Sequence, residues 1–109
     1  MANTFKLKTK ANVGVTTVGI YNAPAATTTV VIGITMANTA GSGVNVGVGI
    51  TRAGTTEDIK LLKNAPLPQG SSLEFMAGNK VVLEATDTLT VDSDTNNSVD
   101  AALTIMEIT

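Results

Sequence analysis

The chain has 109 residues, a net charge of −2, and no histidine, cysteine or tryptophan. Those absences exclude Ser-His-Asp and Cys-His nucleophile systems, Cys/His zinc sites and any disulfide framework. Charged residues make up 15%, against about 25% in ordinary soluble domains, and a pI near 4.8 gives no general electrostatic case for nucleic-acid binding.

The dominant period is two. Phe5, Leu7, Thr9, Ala11 and Val13 alternate with Lys6, Lys8, Lys10 and Asn12, which predicts a strand with one buried and one solvated face. Val15–Tyr21 and Thr28–Met36 are rich in the β-branched residues that suit a pleated surface. Val44, Val46, Val48 and Ile50 alternate as strictly with Asn45, Gly47, Gly49 and Thr51. Ile59–Lys63, Ser72–Met76, Lys80–Ala85, Thr88–Asp92 and Val99–Ile108 complete the series. Turn chemistry separates these segments at Asn22-Ala23-Pro24, Thr39–Gly43, Ala53-Gly54, Pro66–Gly70, Gly78-Asn79 and Asp94–Asn97. A helix could open only at Thr55-Thr56-Glu57-Asp58, a capping-box pattern that Pro66 would soon stop.

Short strands at this spacing predict an all-β fold, an antiparallel β-sandwich of seven to nine strands, jelly-roll-like or immunoglobulin-like. The expected core draws on Phe5, Leu7, Val18, Ile20, Val30, Ile32, Ile34, Val46, Val48, Leu61, Phe75, Leu83, Leu89, Val91, Leu103 and Ile105. No linker or internal repeat divides the chain, so residues 1–109 read as one domain. The opening MANTFKLKTKANVGV lacks an apolar signal region, and no apolar run approaches the roughly 20 residues that span a bilayer. Synthesis in a cytoplasm and no membrane partner are the expectations.

Site motifs are weak. Asp92, Asp94, Asn96 and Asp100 resemble the start of a calcium loop, yet Asn97 and Leu103 stand where its glycine and bidentate glutamate belong. A solvated hairpin loop explains them as well. Gly41-Ser42-Gly43 and Gly47/Gly49 lack the lysine and helix of a phosphate loop. On a strand, such glycines more often let another backbone approach. Carboxylates alone single out no glycosidase pair, so no catalytic residue, cofactor or metal is expected.

Charge layout says more. Lys6, Lys8, Lys10 and Arg52 precede every acid, whereas Glu84, Asp87, Asp92, Asp94, Asp100 and Glu107 follow every base. Either the basic first strand neutralises the acidic last one within the chain, or copies attract one another. The lysine triplet also marks an edge strand, where lysine blocks unwanted pairing.

Several stretches carry a resemblance: Ala2-Asn3-Thr4-Phe5, Tyr21-Asn22-Ala23-Pro24, Val31–Thr39, Asn64–Glu74, Val81–Leu89 and Met106–Thr109. Along almost the whole chain they resemble small β-sandwich virion proteins of tailed bacteriophages, whether of capsid, neck, tail or fibre. That resemblance implies a non-enzymatic structural component of the virion, docked on other virion proteins and associated with itself as an oligomer, a trimer by analogy. Docking would then fall to the lysine-bearing first strand (Lys6, Lys8, Lys10), the Pro66-Leu67-Pro68 segment, and the acidic loop with Asn96 and Asp100. A carbohydrate-binding or host-adhesion module is the alternative, disfavoured because Tyr21, Phe5 and Phe75 are the only aromatics available to stack on sugars.

Overall fold

The computed structural model describes residues 3–53, 57–75 (without the Phe75 side chain) and 80–109. Nine strands run in chain order among the described residues: β1 (Asn3–Val13), β2 (Val18–Asn22), β3 (Thr28–Asn38), β4 (Val44–Thr51), β5 (Asp58–Leu67), β6 (Ser72–Phe75), β7 (Val81–Leu83), β8 (Thr88–Ser93) and β9 (Val99–Ile108). They form two antiparallel sheets packed as a sandwich. One is ordered β1-β9-β3-β6, with β7 also paired to β3; the other is ordered β2-β8-β4-β5. Successive strands switch sheets at β1–β2, β2–β3, β3–β4, β5–β6, β7–β8 and β8–β9, which is jelly-roll-like connectivity.

Register explains which residues are inside. Opposed residues of an antiparallel pair share a sheet face. In β9, Val99, Ala101, Leu103, Ile105 and Glu107 are buried and alternate with more exposed neighbours. Val44, Val46, Val48 and Ile50 of β4 and Leu89 and Val91 of β8 close the core from the second sheet. The expected strand phase holds for Ile34, Val46, Val48, Leu83, Leu89, Val91, Leu103 and Ile105, all buried.

The first strand corrects the expected core. Phe5 is 68% exposed and Leu7 66% exposed. Phe5 stands opposite Met106 and Leu7 opposite Thr104, on the outer face, while Lys6 and Lys8 oppose the buried Ile105 and Leu103. An edge strand permits this, because its lysines reach past the sheet margin and keep the ammonium wet. A bulge between Val31 and Gly33 makes a second correction: Val31 is fully buried, while Val30 and Ile32 are only partly so. Val18, Ile20 and Leu61 line the core margin, half-buried. Buried residues outside the expected set include Val13, Tyr21, Met36, Leu67 and Val99.

Asp58–Leu67 is a strand, which removes the helix reading from Asp58 onward; Thr55 and Thr56 lie outside the described residues. Strand β5 also carries Pro66 and Leu67 to its end, so the turn begins at Pro68. Asn38 holds that corner together. Its Nδ2 donates to the Ser42 and Leu67 carbonyls at 2.9 Å each, and its Oδ1 accepts from Ala40 N at 2.8 Å.

Candidate functional site

The two outer faces of the sandwich differ in chemistry. On the four-stranded sheet, Asn45, Gly47, Gly49 and Thr51 of β4 face outward beside Thr88, Thr90 and Asp92 of β8. Thr17 Oγ1 donates to Asp92 Oδ2 at 3.0 Å, and Lys60 Nζ lies 3.7 Å from the same oxygen. Thr51 Oγ1 donates to Asp58 Oδ1 at 3.0 Å. This face is polar and suited to water.

The outer face of the five-stranded sheet is apolar. Register aligns Phe5, Met106, Val30 and Val82 in one row across four strands, with Val82 55% exposed. Leu7 stands in the next position along β1, opposite Thr104, which in turn opposes Gly33. Farther along, the row reads Thr9, Ala102, Thr35 and Glu74. There a shallow depression of about 350 Å³ is lined by the small residues Thr9, Ala11, Thr35, Ala37, Ala101 and Ala102 together with Lys10 and Asp100. A ridge and a trough thus share one sheet face.

The ridge rests on a buried polar group. Tyr21 projects inward from β2, and its hydroxyl donates to Glu107 Oε2 at 2.5 Å while lying 2.8 Å from Thr29 Oγ1. Lys6 Nζ reaches Glu107 Oε1 at 2.9 Å from the sheet edge. The hydrogen bond from Tyr21, then that from Lys6, holds the Glu107 carboxyl below the usual carboxylate range. Burial, followed by the Glu107 contact, pushes the Tyr21 phenol up to about 12. Glu107 is inward because it continues the alternate positions of β9.

A second ion cluster closes the β4–β8 end. Arg52 Nη2 contacts Glu84 Oε1 at 2.6 Å, and Arg52 Nε lies 3.0 Å from Asp87 Oδ2. Asp87 also accepts from the Glu84 and Ala53 amides. Asp87 beside it raises the Arg52 pKa further. The cluster joins the early bases to the late acids inside one chain, as the Lys6–Glu107 pair does.

The residues singled out for docking are scattered. Lys6, Lys8 and Lys10 lie on β1, beside β2, whereas Pro66 and Pro68 are exposed near the end of β5, at the opposite margin of the second sheet. Leu67 is 2% exposed and belongs to the core, so Pro66 and Pro68 provide the surface of that segment. Asn96 is exposed in the β8–β9 loop, and Asp100 Oδ1 accepts from Asn12 N at 3.0 Å. The calcium-like residues take protein donors: Asp92 from Thr17, and Asp94 from Asn45 N and Thr95. Among the described residues no group of three or more acids is placed to hold a metal ion. Sequence alternation alone places Phe5 and Leu7 inward and so misses the apolar ridge; the lysine triplet that marks the edge is the signal that could have placed them outside, since edge lysines can point inward.

No protein-family model matches the sequence, and no curated protein matches it. Solved structures share its fold. A chain from Bacillus endospore appendages, described as a novel family of disulfide-linked pili, aligns over 99% of this chain and 87% of its own. That pair has a TM-score of 0.58 at 16% identity. A chain of the T13 particle of infectious bursal disease virus gives 0.59 at 15% identity, over 96% of this chain and 30% of that one. The Gx strain of the same virus gives 0.58 at 12% identity, over 96% and 32%. The present chain therefore spans about a third of the viral chains it matches. Identity at this level speaks to the fold: a jelly-roll-like β-sandwich.

Proposed function

We propose that this protein is a non-enzymatic structural subunit of a multi-copy particle, a tailed-phage virion, joined to copies of itself and to neighbouring virion proteins. The observation that carries this reading is the exposed apolar face of the five-stranded sheet. A monomer in water gains nothing from holding Phe5, Leu7 and Val82 outside, and a ridge of this kind marks a surface that a neighbour covers. The fold it shares with particle and appendage subunits agrees with this, and the sequence stretches that resemble phage virion proteins narrow it. Association here needs no disulfide, since the chain has no cysteine.

The carbohydrate reading finds little support in the described side chains. Tyr21 is buried, and Phe5 stands in an aliphatic row without the polar partners that orient a sugar. Purified virions lacking the protein provide the test. Saturable rebinding of the recombinant chain, seen as ordered density on the particle, is the expected result. Failure to rebind any particle, together with reproducible capture by an immobilised glycan, would overturn the reading.

A further inference from the structure

We propose that the outer face of the five-stranded sheet packs against the same face of a second copy across a two-fold axis, the Phe5–Met106 ridge of each entering the trough around Ala102 of the other while the two Leu7 side chains meet near the axis. This rests on the structural-subunit reading and names the first contact that such a subunit makes. Two observations oppose the other simple mode, pairing of sheet edges, at β1 and at β5, one edge of each sheet. Strand β1 turns Lys6, Lys8 and Lys10 toward the inner side of its edge, and inward charge on an edge strand opposes pairing with a further strand. Strand β5, the edge of the other sheet, is interrupted by two register shifts and by Pro66, which has no amide hydrogen to donate. A face is the alternative to those edges, and of the two outer faces that of the five-stranded sheet carries the exposed Phe5, Leu7 and Val82.

Geometry selects the occupant. Ridge and trough lie on one sheet face, about 13 Å apart along β1 from Phe5 to Thr9. Two complementary features on a single flat face are satisfied together when an identical face meets it with strand direction reversed about a two-fold axis, which is an isologous pair. Four strand widths by the length of β1 give this face roughly 700 Å², close to the roughly 800 Å² per partner of a stable interface. The axis then passes near Thr104, which stands on β9 midway between the ridge residue Met106 and the trough residue Ala102. Thr104 is exposed, so two copies of it would face each other at the centre.

The test uses the absence of native cysteine. Oxidising Thr104→Cys should give a covalent dimer in high yield, whereas Thr90→Cys, on the outer face of the other sheet, should stay a monomer. In sedimentation, the unmodified chain should dimerise, and Phe5→Asp or Thr9→Arg should weaken the dimer by more than about tenfold. Both positions are exposed, so each variant should keep the parental thermal midpoint. The control Val15→Asp, 57% exposed on the β1–β2 connection, should dimerise normally. Self-association that survives both face variants would overturn the pairing and leave the structural reading intact. So would a chain monomeric at millimolar concentration that still rebinds virions. Binding of lipid vesicles or a glycan through Phe5, without dimers, would overturn it as well.

Discussion

Tyr21 and Glu107, 86 positions apart in sequence, meet across the interior of the sandwich through a 2.5 Å hydrogen bond from phenol to carboxylate. The contact joins β2 of one sheet to β9 of the other. Lys6 binds the second oxygen of the same carboxylate at 2.9 Å. Because side chains alternate along a strand, fixing Lys6 inward forces Phe5 and Leu7 outward. One buried acid therefore decides which side of β1 faces out of the sandwich.

Tyr21 is the only tyrosine, and the chain has no tryptophan, so tyrosinate absorbance reports on it alone. The phenol should ionise near 12 instead of 10. Its folded-state value is raised, so its contribution to stability is complete below about pH 10 and is lost as pH climbs from there to about 12. Tyr21→Phe should flatten that decline. At neutral pH it should cost about 1.5–3 kcal/mol, the usual worth of a hydrogen bond to a charged group. Denaturant titration of both proteins at neutral and alkaline pH checks the pair of expectations.

The acid side has the opposite sign. The Glu107 carboxyl is held low by Tyr21 and Lys6, so its contribution is complete above the ordinary glutamate value of about 4.3. It disappears as pH falls through the depressed folded-state value. Lys6→Ala should move the acid-unfolding midpoint upward. Its cost at neutral pH should stay near or below about 1 kcal/mol, because the Lys6 side chain is 43% exposed to screening water. A circular-dichroism pH titration distinguishes the variant from the parent.

Adjacent residues of β3 should differ sharply. Val31→Asp would place a carboxylate at a fully buried position and should abolish folding. Ile32→Asp falls in the bulge, on a partly exposed side chain, and should remain folded with reduced stability. Soluble yield and amide dispersion of the two proteins are sufficient to decide. A dispersed Val31→Asp spectrum would mean that the inward face of β3 has been assigned wrongly.

Gly49 should resist even alanine. A Cβ there would lie 2.8 Å from the Ile59 carbonyl oxygen on the neighbouring strand. Backbone yields little, so Gly49→Ala should cost about 1–3 kcal/mol through overpacking. Gly41→Ala, whose Cβ would meet nothing within 4 Å, should stay within about 0.5 kcal/mol of the parent. Thermal unfolding compares the two directly.

Much of the architecture was legible because half-buried strands write their period into the chain. Val44–Ile50 needed only alternation to be placed, and Gly41, Pro68 and Asp94 punctuate the turns by recognisable local chemistry. Phase was lost where alternation admits two solutions. On β1 both faces carry plausible inward sets, and only the edge position, a property of the whole sheet, makes lysine the inner one. On β3 an extra residue at Ile32 shifts the phase, and a bulge leaves no local mark among β-branched neighbours. The candidate surface was hidden for the same reason. Neither the Phe5-Met106-Val30-Val82 row nor the Tyr21–Glu107 bond exists until strands distant in sequence are put in register.

The strand order has a bearing on biosynthesis. β9 follows the other eight described strands in sequence, yet it lies between β1 and β3 and hydrogen-bonds to both. During translation the first strand must therefore wait, unpaired, for a partner that leaves the ribosome about 100 residues later. Such a high contact order makes folding slow, and it also makes folding conditional on synthesis of β9. A prematurely terminated chain lacks the strand that closes the five-stranded sheet. It should be left to proteolysis.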